Sequence, residues 1–244
     1  MTIKVGLCGF TMAAARYPQH FGVVEVQQTF CQPPAAWVID RWRAQMPAAF
    51  EFTLKAWMLV THAATSPTYR RLRRTLTARE AREAGGFQPT AIVDEGWQAT
   101  VDACARLRAT AILLQCPASF RPTDDNLAHL RGFCARIVRP PGVRLLFEPR
   151  GPAWTPAIVR PLIAELGLVH VVDPFVHATV SRDLTYYRLH GISGARHVYS
   201  DAELQRLAAM IPRRGETYVM FNNIPRVDDA RRFKAIVGLP DPGA

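Results

Sequence analysis

"VRLLFEPR", residues 143–150, ends an apolar run on a glutamate and an arginine two positions apart. Alternation along an extended chain puts Glu148 and Arg150 on one face and Phe147 on the other. In a parallel sheet the face covered by helices must be apolar, so two charges on the opposite face belong to an enclosed interior or to its opening. Pro149 falls between them, where the strand is ending and its missing N–H can be spared. This stretch therefore reads as a strand running toward the mouth of a barrel.

Seven further runs read as strands: residues 3–8, 23–30, 50–55, 110–115, 168–173, 185–191 and 217–223. Between them lie helical stretches such as "AAWVIDRWRAQM", "EGWQATVDACARLR", "TDDNLAHLRGFCARI", "TPAIVRPLIAELG", "SDAELQRLAAMI" and "DDARRFKAIVG", several opened by a capping Thr, Ser or Asp. Strand–helix repetition predicts a parallel sheet, and eight strands in 244 residues predict its closure into one (β/α)8 TIM-like barrel domain spanning residues 1–244. An open doubly wound sheet is the alternative, but its Gly-rich phosphate turn is matched only weakly by "GLCGF". A long Arg-rich insertion follows the third strand, over residues 61–96, and carries Arg70, Arg71, Arg73, Arg74, Arg79 and Arg82. It reads as a lid, a docking surface or a solvated face that Glu80 and Glu83 partly neutralise.

The composition, 49% hydrophobic and 20% charged, excludes a disordered chain. No apolar run is long enough to span a bilayer, and "MTIKVGLCGF" lacks the pattern of a secretory signal, so a cytoplasmic protein with no membrane partner is expected. Five cysteines without close pairing fit reduced thiols. Cys8, Cys31 and Cys116 fall at strand ends, a weak basis for thiol chemistry. A net charge of +10 favours small anions such as phosphate or sugar phosphates, or nucleic acid, as partners. All but three of the 30 cations are arginine, the lysines being Lys4, Lys55 and Lys234, so biased codon usage also explains part of the charge.

Strand parity collects the chemistry. Glu25, Gln27 and Thr29 face inward on strand two, Thr53 and Lys55 on strand three, Glu148 and Arg150 on strand five, and Arg188 and His190 on strand seven. Strands four, six and eight end in Gln115, Asp173 and the Asn222–Asn223 pair, and His62 lies just beyond strand three. Active sites of parallel barrels gather at this C-terminal rim. Acid–base chemistry on an anionic or polyhydroxylated substrate follows, with Glu25, Glu148, Asp173 and His190 as catalytic candidates. Gln27, Lys55, His62, Gln115, Arg150, Arg188 and Asn222 are the candidates for binding substrate. No cofactor fingerprint occurs. Glu25, His62, Glu148, Asp173 and His190 are suitable types for a divalent metal, ranked below the metal-free reading because three cations share the rim. A salt-bridge lattice stiffening the mouth is the competing account.

The ordered motifs "VVEVQQTF", "FEFTLKAWMLVTH", "LLQCPASF", "FEPRGPAW", "YYRLHG" and "YVMFNN" resemble those of the domain of unknown function 72 family, the YecE-like proteins, from "GLCGF" to Asn223. The resemblance implies a TIM-like barrel related to sugar isomerases, with endonuclease-like barrels as the other kinship. It puts Glu25, Thr29, Lys55, His62, Gln115, Glu148, Arg150, Trp154, Arg188, His190 and Asn222 within recurrent motifs. Cys31 stands where that family usually has tyrosine, and "QCPASF" replaces its "QLPPSF" pattern.

Overall fold

The computed structural model describes residues 1–241. Eight strands, β1 (Thr2–Cys8), β2 (Val23–Val26), β3 (Glu51–Lys55), β4 (Ala111–Gln115), β5 (Arg144–Glu148), β6 (Val169–Val172), β7 (Leu184–Leu189) and β8 (Glu216–Phe221), form a closed parallel barrel in sequence order. The helices are α1 (Gln28–Cys31), α2 (Ala36–Ala44), α3 (Met58–Thr61), α4 (Ala78–Glu83), α5 (Ala91–Leu107), α6 (Asp124–Arg136), α7 (Pro156–Leu166), α8 (Asp201–Met210) and α9 (Arg226–Ile236). Among the described residues α-helices follow six of the eight strands: β1 leads only to a 3-10 turn (Ala14–Gln19), and the β6–β7 connection has no helix.

Parity divides the core into two layers. Outward residues such as Phe52, Leu54, Leu114, Phe147, Tyr187 and Leu189 join the helices in one large apolar cluster. Inward residues from the same strands, including Val23, Leu113, Leu146, Val171, Tyr186 and Met220, fill the barrel interior. Gly6 permits the close approach of β1 to β2, since a Cβ there would lie 2.3 Å from the Val23 carbonyl oxygen.

Two sequence expectations shift. Strand two ends at Val26 rather than residue 30, and the chain turns at once into α1, so Gln27 and Thr29 project from a helical turn instead of continuing the inward face. The Thr29 hydroxyl is buried and lies 2.6 Å from the Lys55 carbonyl oxygen, to which it can donate, tying this turn to the end of β3. The Arg-rich stretch after β3 is not bare loop. It holds α3, a second 3-10 turn (Pro67–Arg71) and α4, whose N-terminus is closed by a reciprocal Thr77–Glu80 capping box. Arg74 pairs with Glu80 and Glu95, and Arg79 with Glu83, while Arg70, Arg71, Arg73 and Arg82 stay exposed.

Candidate functional site

The register that pairs Glu148 with Gln115 and Glu25 with Thr53 sets the upper inward layer, and the centre of that layer is Arg188. Its side chain is 1% exposed. Its Nε donates to Glu25 Oε1 at 3.1 Å, its Nη2 lies 2.9 Å from the same oxygen, and its Nη1 donates to Glu148 Oε2 at 2.5 Å and to Gln115 Oε1 at 3.4 Å. Glu25 is sealed, with its other oxygen accepting the Tyr186 hydroxyl at 2.9 Å and Gln27 donating to its first. Two charges removed from water must be compensated by each other, and here they are. This geometry corrects two expectations: Arg188 has no open edge with which to grip substrate, and Glu25 has no access to a reacting atom. Both brace the barrel, and Gln27 and Gln115 serve the same lattice.

Around this brace sits a more open set. Arg150 leans on Glu148, its Nε and Nη2 donating to Oε1 at 3.2 and 3.0 Å, and its side chain remains 39% exposed. The same Nη2 lies 2.9 Å from His190 Nε2, and Arg188 Nη1 lies 3.4 Å from it. A guanidinium can only donate, so His190 Nε2 presents its lone pair and the ring proton sits on Nδ1. That nitrogen is 3.6 Å from Asp173 Oδ2, too long for a hydrogen bond, while the same oxygen accepts the His190 backbone N–H at 2.9 Å. Asp173 Oδ1 accepts the Phe175 backbone N–H at 3.1 Å. Asp173 thus shapes the β6–β7 loop through two backbone N–H groups and stands beside the imidazole.

Burial would raise the Glu148 carboxyl, but Arg188, Arg150, His190 and Lys55 outweigh it and pull it down to about 2. It is an ionised acceptor at ordinary pH and a weak base. His62, buried beyond β3, is pushed down to about 3 by burial and by Lys55 and Arg150, so its ring is neutral. Its Nδ1 lies 2.8 Å from the Thr61 hydroxyl, and its ring packs edge-on against Phe30. Lys55 is nearly sealed, with Nζ 3.4 Å from the centroid of the Phe30 ring. Asn222 is half-buried, while its neighbour Asn223 is sealed, donating to His197 O and Asp229.

Arg150, Asp173 and His190 open on a cavity of about 450 Å³ that runs from the mouth over the end of β6. Arg160, His170, His177 and Trp154 also line it. The cavity occupies the sector where the connection after β6 carries no helix. Trp154 is held there by donation to Phe120 O at 2.8 Å and by stacking on Phe120. Among the described residues no group of three His, Cys, Asp or Glu side chains is placed to hold a metal ion.

A sequence profile described as "Protein of unknown function DUF72" matches residues 13–242. The chain belongs to the DUF72 family. Its structure is similar to that of a DUF72 family protein from Enterococcus faecalis, with a TM-score of 0.75 at 19% identity over 98% of this chain and 96% of that one. More distant are a family 2 AP endonuclease from Brucella melitensis (TM-score 0.55, 12% identity, 96% and 98% covered) and a D-allulose 3-epimerase from a Methylomonas species in complex with D-allulose (0.56, 11%, 97% and 96%). At these identities the likeness is one of fold. No curated protein matches the sequence.

Sequence reasoning about this DUF72 chain missed Arg160, His170 and His177, which lie on a helix, an outward strand position and a loop, where inward parity gives no signal. It also missed a second polar layer at the N-terminal end, where Lys4 pairs with Glu51 and, at 2.6 Å, with Glu216. The signal was present, because Lys4 and Glu51 share the inward parity of Glu25 and Lys55. Polar inward residues at that face read as stability rather than catalysis.

Proposed function

We propose that this DUF72 protein is an enzyme that binds a small anionic, polyhydroxylated compound, of the sugar phosphate class, in the cavity over β6 and moves a proton on it by isomerisation, epimerisation or hydrolysis. The observation that carries this reading is the Asp173–His190–Arg150 line opening on that cavity: an imidazole whose Nε2 lone pair is held by Arg150, a guanidinium that still has an unspent donor. Arg150 Nη1 has no protein partner among the described residues, and a phosphate or carboxylate can take both Arg150 ends without disturbing the Glu25–Arg188–Glu148 brace. As the anion draws Arg150 away, His190 Nε2 is released to accept a proton, so binding and base activation are coupled. The likeness of fold to a sugar epimerase supports this reading only at the level of architecture. The five unpaired cysteines support a reducing, cytoplasmic setting.

The test is thermal-shift titration with inorganic phosphate and with pentose and hexose phosphates, on the wild type and on Arg150→Met. Saturable stabilisation of the wild type that is lost in the variant is expected. Equal stabilisation of both proteins would sink the assignment of Arg150. A second reading, binding of nucleic acid, is favoured by the exposed Arg70, Arg71, Arg73 and Arg82 on the stretch after β3.

A further inference from the structure

Charge counting at the barrel mouth leaves one group over. Glu25 and Glu148 are matched by Arg188 and Arg150, and Asp173 is held by two backbone N–H groups. Lys55 has no hydrogen-bonding or ion-pairing partner among the described residues. Its nitrogen faces the Phe30 ring, which in turn packs against the His62 ring. Nor is that nitrogen one of the polar atoms that are both sealed from solvent and unpartnered, so a small part of its surface still meets solvent although the residue is only 6% exposed. The other two lysines are engaged: Lys4 with Glu51, Glu216 and Tyr218, and Lys234 with His20 O and Asp241.

We infer that Lys55 is a nucleophilic amine that forms an imine with the carbonyl group of the substrate, which makes the substrate class a small aldehyde or ketone bearing an anionic group. This deepens the reading above and rests on it for the anion at Arg150; Lys55 stands outside the lining of the cavity over β6, so the carbonyl end of the substrate would lie toward the barrel mouth from the anion. Desolvation beside fixed cations is what turns a lysine from a point charge into a nucleophile. Here burial, Arg188 and Arg150 lower Lys55, Glu148 and Glu25 raise it less, and the outcome is about 7. His62, the remaining titratable neighbour, is neutral and adds no counter-charge. In the step, the Nζ lone pair adds to the carbonyl carbon and the C–O π bond breaks. The two amine hydrogens then leave with that oxygen as one water molecule, and a C=N bond remains. Nothing is oxidised or reduced, and hydrolysis reverses the step.

The presence of only three lysines makes the test direct. The wild-type protein is treated with glycolaldehyde or glycolaldehyde phosphate and cyanoborohydride from about pH 6 to about pH 10, and the reduced adduct is located by peptide mass spectrometry. The expected result is modification of Lys55 at least about tenfold faster than of Lys4 or Lys234, with a rate that levels off above about pH 7. For Lys4, burial works against the charge but the hydrogen bonds to Glu216, Glu51 and Tyr218 more than offset it and hold the ammonium well above the ordinary lysine value. Lys55→Met should lose the fast adduct while keeping the wild-type circular dichroism, because it removes an unmatched cation and retains the stem's volume. Modification confined to Lys4, Lys234 and the N-terminal amine would overturn the inference, as would a Lys55 rate still climbing toward pH 10. The two aldehydes separate this inference from the anion reading. Fast Lys55 modification with no preference for the phosphorylated aldehyde sinks the anion and keeps the amine. Saturable phosphate binding without Lys55 modification does the reverse.

Discussion

Glu148 shows how one side chain can be indispensable without moving a proton. Its two oxygens are shared between a sealed arginine and a half-open one, and both partners hold it ionised. Removing its charge leaves Arg188 buried with only Glu25 as a counter-ion, so Glu148→Gln is expected to destabilise the fold by about 3–5 kcal/mol at neutral pH. The pH dependence follows from the sign of the shift. The folded-state value lies near 2 and the ordinary one at 4.5, so the unfolded chain takes up its proton first as the solution is acidified. The contribution is whole above about pH 4.5 and is lost as pH falls toward about 2, and the gap between wild type and Glu148→Gln should close over that window. Urea unfolding at a series of pH values measures it, and a gap that stays constant down to the acid end would refute the linkage. Much at this scale was legible: parity put Glu148, Arg150, Arg188 and His190 on one face. Depth was not, because alternation gives the direction of a side chain and not its distance from solvent. Arg188 and His190 share a face, yet the first is sealed and the second borders the cavity.

At the scale of the element, β1 and β2 meet at a point that tolerates no side chain. A Cβ on Gly6 would stand 2.3 Å from the Val23 carbonyl oxygen and 2.8 Å from Val23 Cγ1. The first contact is with backbone and cannot be relieved by a rotamer change, so the strands would have to part, breaking the ladder that sets Cys8 against Glu25. Gly6→Ala is expected to destabilise by at least about 2 kcal/mol, of the same order as overpacking a well-filled core. Thermal melting checks this, and a variant as stable as the wild type would show that β1 can shift at little cost. All eight strands were legible because buried parallel strands are short, apolar and separated by capped helices. The end of β2 was not. "VVEVQQTF" alternates well enough to read as one strand, and what stops it is a tertiary bond, the Thr29 hydroxyl on the carbonyl of Lys55 in the next strand. Turn glycines mark other ends more openly: Gly191 follows His190 with φ +90°, and a Cβ there would stand 2.2 Å from Gly194 O.

At the scale of the whole molecule, the charge of +10 and the cavity over β6 make separable claims. The charge is spread over the surface and acts through solvent, where salt screens it within about 10 Å at moderate ionic strength. The cavity contacts are short and local. Of the exposed arginines after β3, Arg70, Arg71, Arg73 and Arg82 make no ion pair among the described residues, and these would contact a polyanion first. A duplex held by four such contacts should lose affinity with a log–log salt slope of roughly −4, and replacing the four arginines by serine should abolish both the binding and the slope. A small phosphate seated on Arg150 should keep its affinity in the same quadruple variant, since none of the four residues lines the cavity. Fluorescence anisotropy with a labelled duplex and calorimetry with inorganic phosphate, each from low to moderate salt, read the two arms. Loss of phosphate binding in the quadruple variant would place the anion site on the stretch after β3 and displace the cavity reading. Duplex binding that survives the substitutions would instead locate a nucleic-acid surface elsewhere on the barrel, and would make the Arg-rich stretch the solvated face that its composition also allows.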